Sequence, residues 1–435
     1  MNNIIPIILN YITFEIIKEI DLTEYRLDYS NELNNIDILS LIPLAKGINI
    51  IIRPTKQKEI LEKLSHLTLK TLKTLNINTN EFRKLPDGLE KLKNLRNLKC
   101  RGLLMNLSGI NELINLRTLD CSDNKLDNLN ELNNLKNLEI LRCEKNMITD
   151  FTAISKLKNL LILNCSYNLL DSVRGISNLK NLEKLYCNNN YLSDFEEIYE
   201  LENLKVLECK FNNIISIKDI KKLKNLTEFD CRNNLITEFE ELEGLEKIEK
   251  LKKLNISNMS VNGENLNKLP KLELLLELEE LNCNNNELSE LPLMKNLKIL
   301  DCSYNKELEL SEINKLENLE ILICKYMDII SFREFENFKG LKKLDCSYNS
   351  IANFDGIENL LNLEKLDISN IMINDQNGIE KLKELKKLKR FYCNNTLNNI
   401  PQELLINLKE LKLENIFITK YNGICEFTSS NQTKF

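Results

Sequence analysis

The feature that most narrows what this chain can become is a frame, L-x-x-L-x-C-x-x-N-x-L, that returns along most of its length. It reads "LDCSYN" at Leu300–Asn305 and again at Leu344–Asn349, with near-copies "LNCSYN" from Leu163, "LYCNNN" from Leu185 and "LRCEKN" from Leu141. Sixteen copies start at Leu72, Leu95, Leu116, Leu138, Leu160, Leu182, Leu204, Leu226, Leu251, Leu278, Leu297, Leu319, Leu341, Leu363, Leu388 and Leu408, and eight of the fifteen intervals are 22 residues. At 435 residues the chain is too long for one ordinary core. The repetition resolves that length into a stacked array.

Each unit changes its period halfway. In "LEKLYCN", Leu185 and Cys187 face one way while Lys184, Tyr186 and Asn188 face the other, the alternation of a strand buried on one side. After the asparagine the period becomes three: Ile148, Phe151, Ile154, Leu157, Leu160 in one unit and Ile214, Ile217, Ile220, Leu223, Leu226 in another. Three-residue spacing suits 3₁₀-like turns better than an α-helix. The units from Leu226 and Leu363 are 25 long and that from Leu278 is 19, so whole triplets are added or removed. The 27-residue unit from Leu251 breaks this rule, and its "VNGENLNKLPKLELLL" is expected to hold a short helix or a bulge.

The asparagine slot is filled at Asn80, Asn124, Asn146, Asn168, Asn190, Asn212, Asn234, Asn286, Asn305 and Asn349. A side-chain amide there can satisfy main-chain groups that the turn leaves unpaired, and do so between adjacent units. Where the slot holds Leu103, Met259, Met327 or Ile371 the bond is lost, and those junctions are expected to be looser or rearranged.

Residues 1–70 do not fit the frame. "KQKEILEKLSHL" reads as a short helix and "GINIIIRP" as a strand ended by Pro54, so the region is expected to be degenerate repeats and a cap over the first open edge. The array then occupies 71–418, and 419–435 is a polar tail.

The 22-residue frame, with its Gly-Ile pairs at Gly109–Ile110, Gly175–Ile176 and Gly356–Ile357, resembles the leucine-rich repeat class of phosphatase regulatory subunits and internalin-type adhesins. The cysteine form with Asn/Lys/Ile-rich flanks also resembles repeat proteins of AT-rich genomes, including giant DNA viruses. The resemblance implies an α/β leucine-rich-repeat solenoid: a curved parallel sheet on the concave side, short turns on the convex side and a protein-binding horseshoe. It implies no catalytic residue. Sixteen strands about 4.8 Å apart give a concave face on the order of 70–80 Å along its curve.

Recurring cysteines invite a chemical reading. Twelve of the thirteen share one slot: Cys100, Cys121, Cys143, Cys165, Cys187, Cys209, Cys231, Cys283, Cys302, Cys324, Cys346 and Cys393. Other units fill that slot with Ile77, Ile256, Ile368 and Leu413, so thiol and aliphatic groups are interchangeable there. A row of parallel side chains does not converge on a metal, and parallel Cβ vectors oppose disulfide closure. No metal and no cofactor are expected.

The single histidine, His66, lies in the cap, and no phosphate-cradling glycine loop is present, so an enzyme is not expected. With 59 basic and 65 acidic residues spread throughout, the net charge of −6 disfavours nucleic acid. "MNNIIPIILNYITFEIIKEI" lacks the basic start of a signal peptide and is too short to span a membrane. The odd number of cysteines fits a reducing compartment. These features predict a cytoplasmic, monomeric protein whose partner is another protein.

Aromatic residues interrupt the polar strand face at Tyr186 and Tyr392, and at Tyr167, Phe211, Tyr304, Tyr326 and Tyr348 just before the asparagine slot. Tyr304, Tyr326 and Tyr348 recur at 22 residues beside Asp301, Ile323 and Asp345. Together with Tyr186 these are the candidate partner-binding residues, since aromatic rings among mixed charges suit protein interfaces. The alternative is that the rings stack on each other and only brace the turns. A second functional class is a substrate-recognition adaptor, with "IIPIILNYITFEIIKEI" as an F-box-like segment recruiting a ubiquitin ligase.

Overall fold

The computed structural model describes residues 73–394, apart from 80–81, 86, 262 and 374–377, and beyond them Leu22–Asp28, Gly47–Ile51, Thr396, Glu410–Lys412 and Thr433–Lys434. The helix read at "KQKEILEKLSHL", the histidine His66, the slot residues Asn80 and Leu413, the cysteine Cys425 and nearly all of the tail lie outside them. Two compact units divide the chain, Met1–Asn213 and Ile214–Phe435.

In the first unit, Leu22–Asp28, Gly47–Ile51, Thr74–Thr79, Asn97–Gly102, Thr118–Asp120, Ile140–Arg142, Ile162–Asn164, Lys184–Tyr186 and Val206–Glu208 pair parallel, each with the next in sequence. Leu119, Leu141, Leu163, Leu185 and Leu207 stand opposite one another with no register slip. A one-residue slip would turn every buried leucine to solvent, so the alternation pins the register.

In the second unit, strands from Glu228–Asp230 to Arg390–Tyr392 repeat the pattern, placing Leu254, Leu281, Leu300, Leu322, Leu344, Leu366 and Phe391 in one row. Glu410–Lys412 adds in parallel and Thr433–Lys434 pairs antiparallel to it.

The triplet segments return as 3₁₀ turns, such as Thr152–Ile154, Ile176–Asn178 and Ile198–Glu200. Ile148, Phe151, Ile154, Leu157 and Leu160 are all fully buried, so each turn closes the core that its strand opens. Burial of such a side chain contributes about 1.5–3 kcal/mol, and no single unit can bury its own open edges. The Gly-Ile pairs open these turns: Gly356 has φ +101°, and a Cβ there would lie 2.5 Å from the Arg333 nitrogen of the preceding unit. Only glycine fits both conditions.

Among its described residues the 27-residue unit shows a hairpin and a 3₁₀ turn in place of the short helix or bulge expected there. Ser260–Val261 and Glu264–Asn265 form an antiparallel hairpin around Gly263, and a 3₁₀ turn follows at Leu272–Leu274.

Candidate functional site

The cysteine column lies inside. All twelve repeat cysteines are free and buried, with side chains shut off from solvent. Burial raises the thiols of Cys100, Cys121, Cys143, Cys165 and Cys187, that of Cys187 to about 12, with the Glu208 carboxylate adding to the effect there. A thiol so raised supplies no thiolate for nucleophilic or redox work. The sulfurs nevertheless have partners: Sγ of Cys121, Cys143, Cys165 and Cys187 lies 3.3–3.5 Å from the carbonyl of Arg142, Asn164, Tyr186 and Glu208 respectively, each on the next strand. The same carbonyls accept the cysteine N–H at 2.8 Å. The slot thus takes a small apolar group that also donates weakly, a distinction the sequence did not carry. Among the described residues no group of three His, Cys, Asp or Glu could hold a metal ion.

The asparagine column links unit to unit. Asn168 Nδ2 donates to the carbonyls of Cys165 at 2.9 Å and Cys143 at 3.0 Å, while its Oδ1 accepts from the Ile148 N–H at 3.0 Å. Asn146, Asn190 and Asn305 repeat the pattern. Where Ile371 replaces asparagine, the next unit's Thr396 supplies a hydroxyl that donates to Ile368 O at 2.6 Å and accepts from Ile371 N at 3.3 Å.

A second asparagine ladder, unread in the sequence, runs just before the strands. Nδ2 of Asn115, Asn137, Asn159, Asn181 and Asn203 donates at 2.9 Å to the carbonyl of Lys93, Ile114, Lys136, Lys158 and Lys180, one unit back. Its signal is the recurring Asn-Leu pair, as in "KNL" at Lys136–Leu138 and "ENL" at Glu202–Leu204.

From Asp123 to Asn370 the residue just before the asparagine slot is left-handed: Asp123, Lys145, Tyr167, Asn189, Phe211, Asn233, Asn258, Asn285, Tyr304, Tyr326, Tyr348 and Asn370 have φ between 50° and 60°. Asn and Asp tolerate this conformation, whereas aromatic residues adopt it at a cost. Tyr304, Tyr326 and Tyr348 hold it together. Their rings stack with centroids 4.5 Å apart and interplanar angles of 20° and 13°. Such pairs contribute about 0.5–1.5 kcal/mol each. Tyr304 and Tyr348 remain 45% and 42% exposed, so the stack braces the turns and presents a ring surface at once.

Beside it, Asp301, Ile323 and Asp345 sit in register on three adjacent strands. Asp301 and Asp345 also shape the backbone: each accepts the N–H and the hydroxyl of the serine two residues on, Ser303 and Ser347. Lys325 Nζ lies 2.9 Å from Asp345. Asp367, one strand further, is pushed up by burial and then by Asp345. Ile299, Ile321 and Ile323 make a half-buried apolar island on the same face. The edge below is self-neutralised by Lys298–Glu279, Lys342–Glu320 and Lys389–Glu364 pairs at 2.8–3.0 Å.

Of the other aromatic candidates, Tyr186 lies half-buried in the first unit. Tyr392 is buried and lies under Lys365, whose Nζ stands 4.8 Å from the ring centre, because the bulkier strand residue folds down against its neighbour.

Comparison with known proteins agrees with this geometry. The family model "Leucine Rich repeats (2 copies)" matches residues 114–156, 158–200 and 202–244. Among solved structures, the chain is similar to a leucine-rich repeat protein of Leptospira interrogans (25% identity, TM-score 0.63, covering 85% of this chain and 90% of that one). It is similar also to the internalin InlF of Listeria monocytogenes (22%, 0.60, 78% and 93%). A third is the functional domain of InlJ from the same organism (23%, 0.60, 81% and 70%), described as including a cysteine ladder. No curated protein matches in sequence. With its parallel strands, its 3₁₀ returns, its two asparagine ladders and a family model matching part of its length, the chain folds as a leucine-rich repeat solenoid.

Proposed function

We propose that the protein is a non-enzymatic scaffold and that its partner, another protein, docks on the exposed strand face of the second unit. The observation that carries this reading is the stack of Tyr304, Tyr326 and Tyr348, preorganised and still accessible, beside the apolar island of Ile299, Ile321 and Ile323. Rings already fixed by stacking and by a left-handed backbone lose little freedom on binding. Asp301, Asp345 and Lys325 supply a mixed-charge border, and the neutralised edge below leaves the apolar island as the distinctive feature of this face. Tyr186 belongs to the first unit and is assigned a separate, smaller contact.

The test is affinity purification from the native cell with the wild-type chain and a Tyr304→Ala, Tyr326→Ala, Tyr348→Ala variant. The reading expects a co-eluting protein that the triple variant loses at unchanged secondary structure. Retention by the folded variant rejects it.

A further inference from the structure

A second binding feature lies off the strands, where two departures from the frame meet. After the asparagine slot the first buried apolar residue normally comes two places on, as Ile148 does after Asn146 and Ile351 after Asn349. After Asn305 it comes three places on, at Leu308, and in the next unit the slot itself holds Met327. In several other units the residue following the slot donates its N–H to the preceding unit's turn: Met147 to Leu126, Leu169 to Ile148, Glu287 to Leu266, Ser350 to Ile329. No backbone hydrogen bond joins Asp328 to Glu307, the equivalent pair. The extra residue carries the chain outward, Leu308 closes on Asn305 instead at 3.1 Å, and the two turns part.

The gap is an open recess of about 530 Å³. Its floor is apolar, with Leu308, Leu310, Met327 and Ile329 nearly buried, and Ile330 stands 65% exposed on its wall. Its rim is acidic. Glu309, Asp328 and Glu336 are exposed there and outnumber the two cations, of which Arg333 is held by Asp355 at 3.1 Å and Lys306 is exposed. Glu334 is turned to the backbone, accepting from the Ile330 and Ser331 N–H groups.

We propose that this recess binds an extended segment of a partner protein, seating an aliphatic side chain on the floor and a Lys or Arg on the rim. The unpaired Asp328 N–H and Glu307 carbonyl give its backbone a place to bond, as strand addition does at a sheet edge. An aliphatic group suits the apolar floor, and charge complementarity selects a basic neighbour.

The probe is a library of biotinylated nonapeptides with a central Leu and randomised flanks, presented to the full chain. Members with Lys or Arg within two positions of the Leu should be enriched at least fivefold over those with Asp or Glu. Deleting Glu307 together with Met327→Asn restores the frame and should abolish the enrichment. Asp328→Lys with Glu336→Lys should invert it, and this arm decides the matter if the frame-restored chain fails to fold. The tyrosine triple variant should bind peptides as the wild type does. Absence of enrichment, or equal enrichment by the folded frame-restored variant, overturns the proposal. Loss in the tyrosine variant alone also overturns it, assigning the peptides to the strand face.

Discussion

The turns that follow Asn146 in the first unit and Asn305 in the second bury nearly the same series, Ile148, Phe151 and Ile154 against Leu308, Leu310 and Ile313. One is zipped to both neighbours. The other folds as a short α-turn at Leu310–Ile313 and leaves a recess between itself and the next unit. Hydrophobic burial is common to both, so burial alone does not close the stack. What differs is the hydrogen bonding between units, set by one amide and by a spacing of two residues against three. The frame builds the scaffold, and its exceptions open places where something else can bind.

That contrast predicts its largest effect for Asn168→Leu. The substitution leaves the Ile148 N–H buried and unpaired, and takes one of two amide donors from each of the Cys143 and Cys165 carbonyls, which keep Asn146 and Asn190. At about 1–3 kcal/mol for the orphaned N–H and about 0.5–1.5 kcal/mol for the bonds lost to the carbonyls, a loss of about 2–4 kcal/mol is expected from urea unfolding. Leucine already occupies the slot at Leu103, so a loss under about 1 kcal/mol would break the comparison.

A smaller effect separates stacked from unstacked rings. Tyr326→Ala removes two stacking contacts and should cost about 1–2 kcal/mol, with the left-handed backbone cost unchanged because alanine keeps the Cβ. Tyr167→Ala, at the same position between Lys145 and Asn189, should be close to neutral in the same experiment.

Asp367→Asn should stabilise the protein slightly at neutral pH. The native carboxyl is raised above its ordinary value by burial and by Asp345, so the folded state holds its proton to higher pH than the unfolded chain does. Stability from this group is therefore full below the ordinary carboxylate range and falls as pH rises through the raised value. Asparagine keeps the bond to the N–H two residues on, as Asn164, Asn255 and Asn282 do in other units. Thermal melts of both forms at pH 4 and pH 7 should differ only at pH 7. Cys231→Val, the smallest change, should fold and bind normally, shifting stability by less than about 1.5 kcal/mol, because Ile fills the slot at Ile256 and Ile368.

Much of this was legible in the residues. The switch from period two to period three gave strand and 3₁₀ turn, and the interchange of Cys with Ile placed the thiols inside. The amide's between-unit bonding followed from its donors and acceptor. The left-handed column was less visible, although Asn and Asp fill half of it, because Tyr, Phe and Lys share the position and hide the preference. The hairpin at Ser260–Asn265 had its signal in Asn262–Gly263, a two-residue turn pair, obscured by the longer triplet reading. The recess could not be read from either departure by itself. It needs the displaced Leu308 and the missing amide at Met327 to lie on adjacent units, which only the stacking of the two turns reveals.

Hydrogen exchange followed by mass spectrometry tests the central claim most directly, since amide protection reports whether turns are zipped. The backbone of 305–310 should exchange at least about tenfold faster than that of 146–151, despite equal burial of the side chains. Equal protection of the two turns would mean that the asparagine ladder does not decide where the stack closes.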